Sequence, residues 1–149
     1  MKNILPLLLL ALAGTACSSG EADPEIQATR MLDMARTLLQ QKEYAAARDT
    51  VESMRRTWPK ALKTRSVGIV VMDSIELCEA QDTLALIDKQ LQAEQEKLAI
   101  LQNRDNRGRN QEYYDQKNKV YHLRQQFDEI CAKVKFYLRK IEIDSKDIN

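Results

Sequence analysis

Histidine occurs once in this chain, at position 122, and tryptophan once, at 58; the aromatic residues together make up 5% of it. A lone histidine leaves no histidine pair for a metal site or proton relay, and His122 sits on a helical segment beside Tyr121 and Leu123 as a solvated or packed side chain. No phosphate-binding glycine loop, zinc-ligand spacing or nucleophile elbow is present. The sequence therefore offers no catalytic residue set and calls for no cofactor or metal. Charge of one sign is also missing, with 23 basic against 22 acidic side chains, a balance that argues against nonspecific binding to nucleic acid. Glycine and proline are scarce, at 4 and 3 residues, while Ala, Leu, Gln, Glu, Lys and Arg abound, which predicts an all-α fold. Long apolar runs are absent apart from one, Ile4 to Ala13, so no other segment could span a bilayer.

That run is preceded by Lys2 and followed by the small residues Gly14-Thr15-Ala16, then Cys17 and Ser18-Ser19-Gly20. A positive start, a short apolar core and a small-residue cleavage site are the parts of a secretory signal peptide. With the cysteine at the cleavage point, the leader resembles that of bacterial lipoproteins, although Gly14 stands where their motif usually has leucine. The resemblance implies cleavage after residue 16, a thioether-linked diacylglycerol on Cys17 and an acylated amino group. Several acyl chains, at about 0.8 kcal/mol per buried methylene, anchor a protein permanently. Plain secretory cleavage at Gly14-Thr15-Ala16 is the alternative. Residues 17–24 then form a tether.

Asp23-Pro24-Glu25 combines an N-cap acid, a proline at the first helical position and a first-turn acid, so a helix is expected to start there and run to about Gln41. Its expected apolar face is Met31, Met34, Ala35, Leu38 and Leu39. A second helix follows, with Tyr44, Ala47, Val51, Met54 and Trp58 at three- and four-residue spacing, stopped by Pro59. Residues 25–60 thus form a helix pair. The spacing of Ala35, Tyr44, Ala47 and Pro59 resembles a tetratricopeptide-type hairpin, with Met31 and Leu38 departing from its usual aromatics. No second copy follows, and a single repeat cannot cover its own apolar face.

The cover is expected from the next segment, Ala61 to about Gln102, which has no proline and only Gly68 as a weak point. Whether it is one helix or two stays open; unbroken, it would reach about 60 Å. Its first half is apolar over a wide arc including Leu62, Val67, Ile69, Val70, Val71, Met72, Ile75 and Leu77. Its second half narrows to a stripe of Leu77, Ala80, Leu84, Ile87, Leu91, Leu98 and Leu101, interrupted by Glu94. After a polar turn near 103–111, in which Asn110 can cap the next helix, a last helix to Asp144 carries a stripe of Tyr113, Lys117, Val120, Arg124, Phe127, Cys131, Val134, Leu138 and Ile141. Residues 61–144 are accordingly expected to form a long antiparallel coiled-coil hairpin centred near Arg107, with residues 145–149 a disordered tail. Leu101 should meet Tyr113, Ile87 Phe127, Ala80 Val134 and Leu77 Leu138. Glu94 then falls between Lys117 and Arg124, as a register-fixing ion pair or as a tolerated surface acid. Cys78 and Cys131 are offset along the axis by about 8 Å in this register. A bridge between them stays open, because the compartment is oxidising but the spacing is poor.

Two basic clusters remain, Arg104, Arg107 and Arg109 at the hairpin tip and Arg55, Arg56, Lys60, Lys63 and Arg65 around Pro59. Each is either a solvated turn or a contact surface for an acidic partner or lipid headgroup. The mature chain, with its motif Glu112-Tyr113-Tyr114-Asp115, resembles short lipoproteins of the Bacteroides type, a resemblance that brings no activity with it. It implies an outer-membrane, lipid-anchored location on the periplasmic face or, given Glu21 and Asp23 soon after Cys17, the cell surface. The expected function is that of a non-enzymatic helical interaction or scaffold lipoprotein, held to the bilayer through Cys17 and meeting an unidentified envelope protein. A homo-oligomer stays open. The alternative is a peptide or small-ligand module with a groove between the hairpin and the third helix, lined by Met31, Met34, Tyr44 and Trp58.

Overall fold

The computed structural model describes residues 23–104 and 110–148. Cys17 with its leader and tether, Arg107 and Arg109 lie outside the described residues. Four helices, α1 (Pro24–Gln40), α2 (Tyr44–Thr57), α3 (Leu62–Arg104) and α4 (Gln111–Ile148), make up an all-α fold of two helical hairpins. No strand occurs among the described residues. Asp23 caps α1 by accepting the Glu25 amide at 2.9 Å, and Pro24 occupies the first turn, as the sequence predicts. The turn between α1 and α2 is closed by the Glu43 amide donating to the Leu38 carbonyl at 2.9 Å and the Lys42 amide to that of Leu39 at 3.0 Å. This ending needs a left-handed residue, usually glycine; here Lys42 takes it, at φ 62°.

Helix α1 buries Ala28, Leu32 and Ala35, and α2 buries Ala47, Val51 and Met54, against Val71 and Ile75 of α3. Leu32, Met54, Ile75 and Val51 are its largest fully enclosed side chains, each contributing about 1.5–3 kcal/mol of transfer free energy. Leu32 takes the inward place expected of Met34, which is 60% exposed, because Ala28, Leu32 and Ala35 follow one face at steps of four and three. Gly68 lies in the middle of the contact. A Cβ there would stand 2.9 Å from the Met54 methyl and 3.8 Å from Leu32 and Val51, so the expected weak point is where the α3 backbone comes closest to the hairpin. The start of α3 has no capping side chain of its own, since Ala61 precedes it. Glu25 of α1 supplies the cap, accepting the amides of Lys63 at 3.1 Å and Thr64 at 3.0 Å and the Thr64 hydroxyl at 2.7 Å. Leu62 and Ile69, expected in the apolar arc, are exposed instead. The hairpin covers only the face carrying Thr64, Gly68, Val71 and Ile75.

Beyond Asp82, α4 is the only described helix that accompanies α3, from Thr83 to Arg104, about 33 Å. Asn110 caps α4 through its side-chain oxygen, which accepts the Tyr113 amide at 3.0 Å. The α3 stripe is as predicted, with Ala80, Leu91 and Glu94 its most buried members. The α4 stripe is not. Tyr113, Val120, Phe127, Val134 and Ile141 face α3, but the alternate layers are Gln116, Leu123, Ile130 and Tyr137, while Lys117, Arg124 and Leu138 point outward. Both choices repeat every seven residues; stepping three rather than four after each shared position puts Leu123, Ile130 and Tyr137 in the alternate layers, one apolar side chain more than Cys131 and Leu138 would supply. The helix also continues through Ile148 rather than fraying after Asp144. The Glu142–Lys146 pair at 2.8 Å supports this last turn, and Lys146 complements its carbonyl end.

Candidate interaction surfaces

Among the described residues Glu94 is the one charged residue enclosed in the distal seam, at 9% exposure. Its carboxylate accepts from the Gln116 side chain at 2.8 Å, from Lys97 on its own helix at 2.8 Å and from Lys119 across the hairpin at 3.1 Å. Gln116 also donates to the Glu94 backbone carbonyl at 2.9 Å. The expected partners Lys117 and Arg124 are therefore replaced by Gln116 and Lys119, a direct consequence of the changed α4 face. The hydrogen bond from Gln116, then those from Lys97 and Lys119, hold the Glu94 carboxyl down at about 2 from an ordinary 4.5. Glu94 with Lys119, and Asp73 with Lys140, lie one residue from the expected register, and Glu76 with Lys133 lies five from it.

A second charged seam joins three helices. Glu76 of α3 accepts from Arg48 of α2 through Oε1 at 2.8 Å and from Lys133 of α4 through Oε2 at 3.1 Å. Arg48 also reaches Glu79 at 2.7 Å. Burial pushes the Glu76 carboxyl up, but Arg48 and Lys133 outweigh it and leave it below its ordinary value. Nearby, Asp73 is buried and paired with Lys140, which also binds Asp144 at 2.9 Å. Contact with Asp73 raises the Lys140 ammonium against the opposing effect of burial. These carboxylates hold helices together, and among the described residues no group of three or more His, Cys, Asp or Glu is arranged to hold a metal ion. No buried side-chain polar atom among them lacks a partner.

No protein-family model, no curated protein and no solved structure matches this chain.

The surfaces must consequently be judged on their own chemistry. Tyr44, expected to line a groove, donates its hydroxyl to Asp82 at 2.6 Å, and that bond pushes its pKa up to about 12. Lys42 holds the same carboxylate at 2.8 Å and is the first cause of its lowered pKa. Met31, Tyr44 and Trp58 are partly buried against the core, and Met34 is exposed. Arg104 is exposed at the end of α3, so of the tip cluster only this residue can be placed. Cys78 and Cys131 are free thiols, both half-buried. His122 is exposed and edge-on to Tyr121, with ring centroids 5.7 Å apart. No helix among the described residues is long and apolar enough to cross a membrane.

The three-helix bridge through Glu76 was not foreseen. A signal for it existed: Glu76 and Glu79 stand one turn apart on α3, and Arg48 lies on the α2 face next to Ala47. A single sequence does not say which cation among many will meet them.

Proposed function

We propose that this protein is a membrane-tethered, non-enzymatic helical lipoprotein of the bacterial envelope, in which a short tetratricopeptide-like hairpin serves as base and a long coiled-coil hairpin as spacer. The observation that carries the reading is the polarity of the four helices. The start of α1, which follows the tether, the end of α2, the start of α3 and the end of α4 gather at one pole, as the Glu25 bonds to Lys63 and Thr64 and the Lys140 contact with Asp73 require. The other end of α3 lies about 65 Å away. Acylation at Cys17 would put the lipid at the base and carry the tip clear of it. The charged seams suit a spacer, since Glu94 and Glu76 fix one register in a hairpin whose apolar residues alone would permit sliding.

A photo-reactive residue at Ile100, exposed near the tip, and another at Glu52 on the base test the assignment in living cells. Cross-links from Ile100 to one envelope protein, lost when the α3–α4 hairpin is shortened by a matched heptad from each helix, are the expected result. Cross-links confined to Glu52, or unaffected by the shortening, would contradict a spacer.

A further inference from the structure

The base pole carries a second feature that tethering alone does not need. Between Glu52 and Asp73 the sequence has Arg55, Arg56, Lys60, Lys63 and Arg65 and no acidic residue. The fold folds this stretch into the last turn of α2, the α2–α3 corner and the first turn of α3. Arg56, Lys60 and Lys63 are exposed there, Arg56 in a loose, solvated pair with Glu52 one turn back at 3.6 Å. Several acids that share the pole are engaged, Glu25 with the Lys63 and Thr64 amides, Asp144 with Lys140, and Glu142 with Lys146, while Asp147 stands exposed beside Ser66 and Ile69. Beside these cations two large apolar side chains stand in water, Leu62 at 69% and Ile26 at 53% exposure. Each is the sequence neighbour of a residue in the Glu25–Lys63 contact, which places both residues near this corner.

The geometry points to this corner as a docking surface for an anionic lipid bilayer, with Leu62 and Ile26 entering the headgroup region and Arg56, Lys60 and Lys63 meeting lipid phosphates. The inference rests on the tethered reading above. Cys17 is separated from Asp23 by a segment that can extend no more than about 20 Å, which keeps an acylated chain's base within reach of the headgroups. Basic residues near an anionic leaflet add attraction that decays over a Debye length, and exposed aliphatics beside them partition into the interface. An acidic protein would satisfy the cations but has no evident use for a surface set by tether length. Docking in this way would orient the spacer instead of letting it swing about its tether.

The full lipidated chain is reconstituted into phosphatidylcholine vesicles with or without one-third phosphatidylglycerol. The probe is Leu62→Trp in a Trp58→Phe background, which makes the corner the sole site of tryptophan emission. Lipids brominated along the acyl chain should quench that emission on the anionic vesicles and much less on the zwitterionic ones. Arg56→Gln, Lys60→Gln and Lys63→Gln together should lower the docked-to-undocked ratio roughly a hundredfold, with unchanged helicity by circular dichroism confirming the fold. Equal quenching on both vesicles, or quenching that survives the triple neutralisation, overturns the proposal. So does loss of an acidic envelope protein's cross-link in the triple variant while lipid quenching is nil. The N-terminal mass of the same preparation separates the two claims. Acylated but unquenched protein refutes docking and leaves tethering intact, whereas quenching without acylation refutes tethering and leaves the docking surface standing.

Discussion

Replacing Gly68 probes the junction between the base hairpin and the spacer. An alanine would gain about 1 kcal/mol of helix propensity in the middle of α3. Against this, its methyl would stand 2.9 Å from the Met54 methyl, in a core where Met54 is fully enclosed. Overpacking of this kind costs about 1–3 kcal/mol, toward the low end here because the obstructing atom is the mobile end of a flexible side chain. The expected net change for Gly68→Ala is therefore between no effect and a loss of about 2 kcal/mol. Gly68→Leu must also displace Val51 and Leu32 and should cost about 3 kcal/mol or more. The decisive experiment is a double-mutant cycle in urea denaturation with Met54→Val. That substitution alone leaves a cavity costing about 1–3 kcal/mol, but beside Ala at position 68 the space is partly filled, giving a favourable coupling of about 1 kcal/mol or more. Additivity within about 0.5 kcal/mol, or a Gly68→Leu variant as stable as the parent, would show that α3 does not cross the hairpin there.

Glu94→Lys should expose the amides between Leu91 and Tyr121 to hydrogen exchange while the base stays protected, and adding Lys119→Glu should restore part of that protection; no difference between the two variants would refute the register role. The Glu94 carboxyl is depressed, so the native state binds this proton less readily than the unfolded one. Its contribution is complete above about 4.5 and disappears as pH falls toward about 2, and the distal amides should lose protection across that window in the parent but not in Glu94→Gln. Glu25→Gln should raise exchange at the Lys63 and Thr64 amides without unfolding α1, which keeps its Asp23 cap. Trp58 is half-buried rather than enclosed, so Trp58→Ala should cost about 2 kcal/mol by urea midpoint instead of the larger penalty of a fully buried tryptophan.

Much of the architecture was legible because breakers are so rare that each one is informative. Asp23-Pro24, Pro59 and Asn110 marked the ends of helices where the structure has them. The α3 stripe was legible for a similar reason, since its apolar residues leave only one face available. Helix α4 was harder. Its shared positions were evident, but Leu138 drew the alternate layers to the wrong side while Cys131 stayed half-buried, and the cost was the assignment of Lys117 and Arg124 to Glu94. Counting Leu123 and Ile130 would have turned the face correctly. The exposure of Leu62 and Ile69 was beyond periodicity, because they lie on a helix surface apolar nearly all round, and only the width of the covering hairpin decides which part is closed. Gly68 illustrates a further limit: propensity marks glycine as a weakness, while the crossing needs its missing side chain.

The most direct test of the tethered spacer is the mass of the mature N-terminal peptide from protein purified out of its native membrane. The expected peptide begins at Cys17 and carries a diacylglycerol thioether and an N-linked acyl chain. A peptide beginning elsewhere, or Cys17 with an unmodified thiol, would contradict the anchoring on which the proposed function stands.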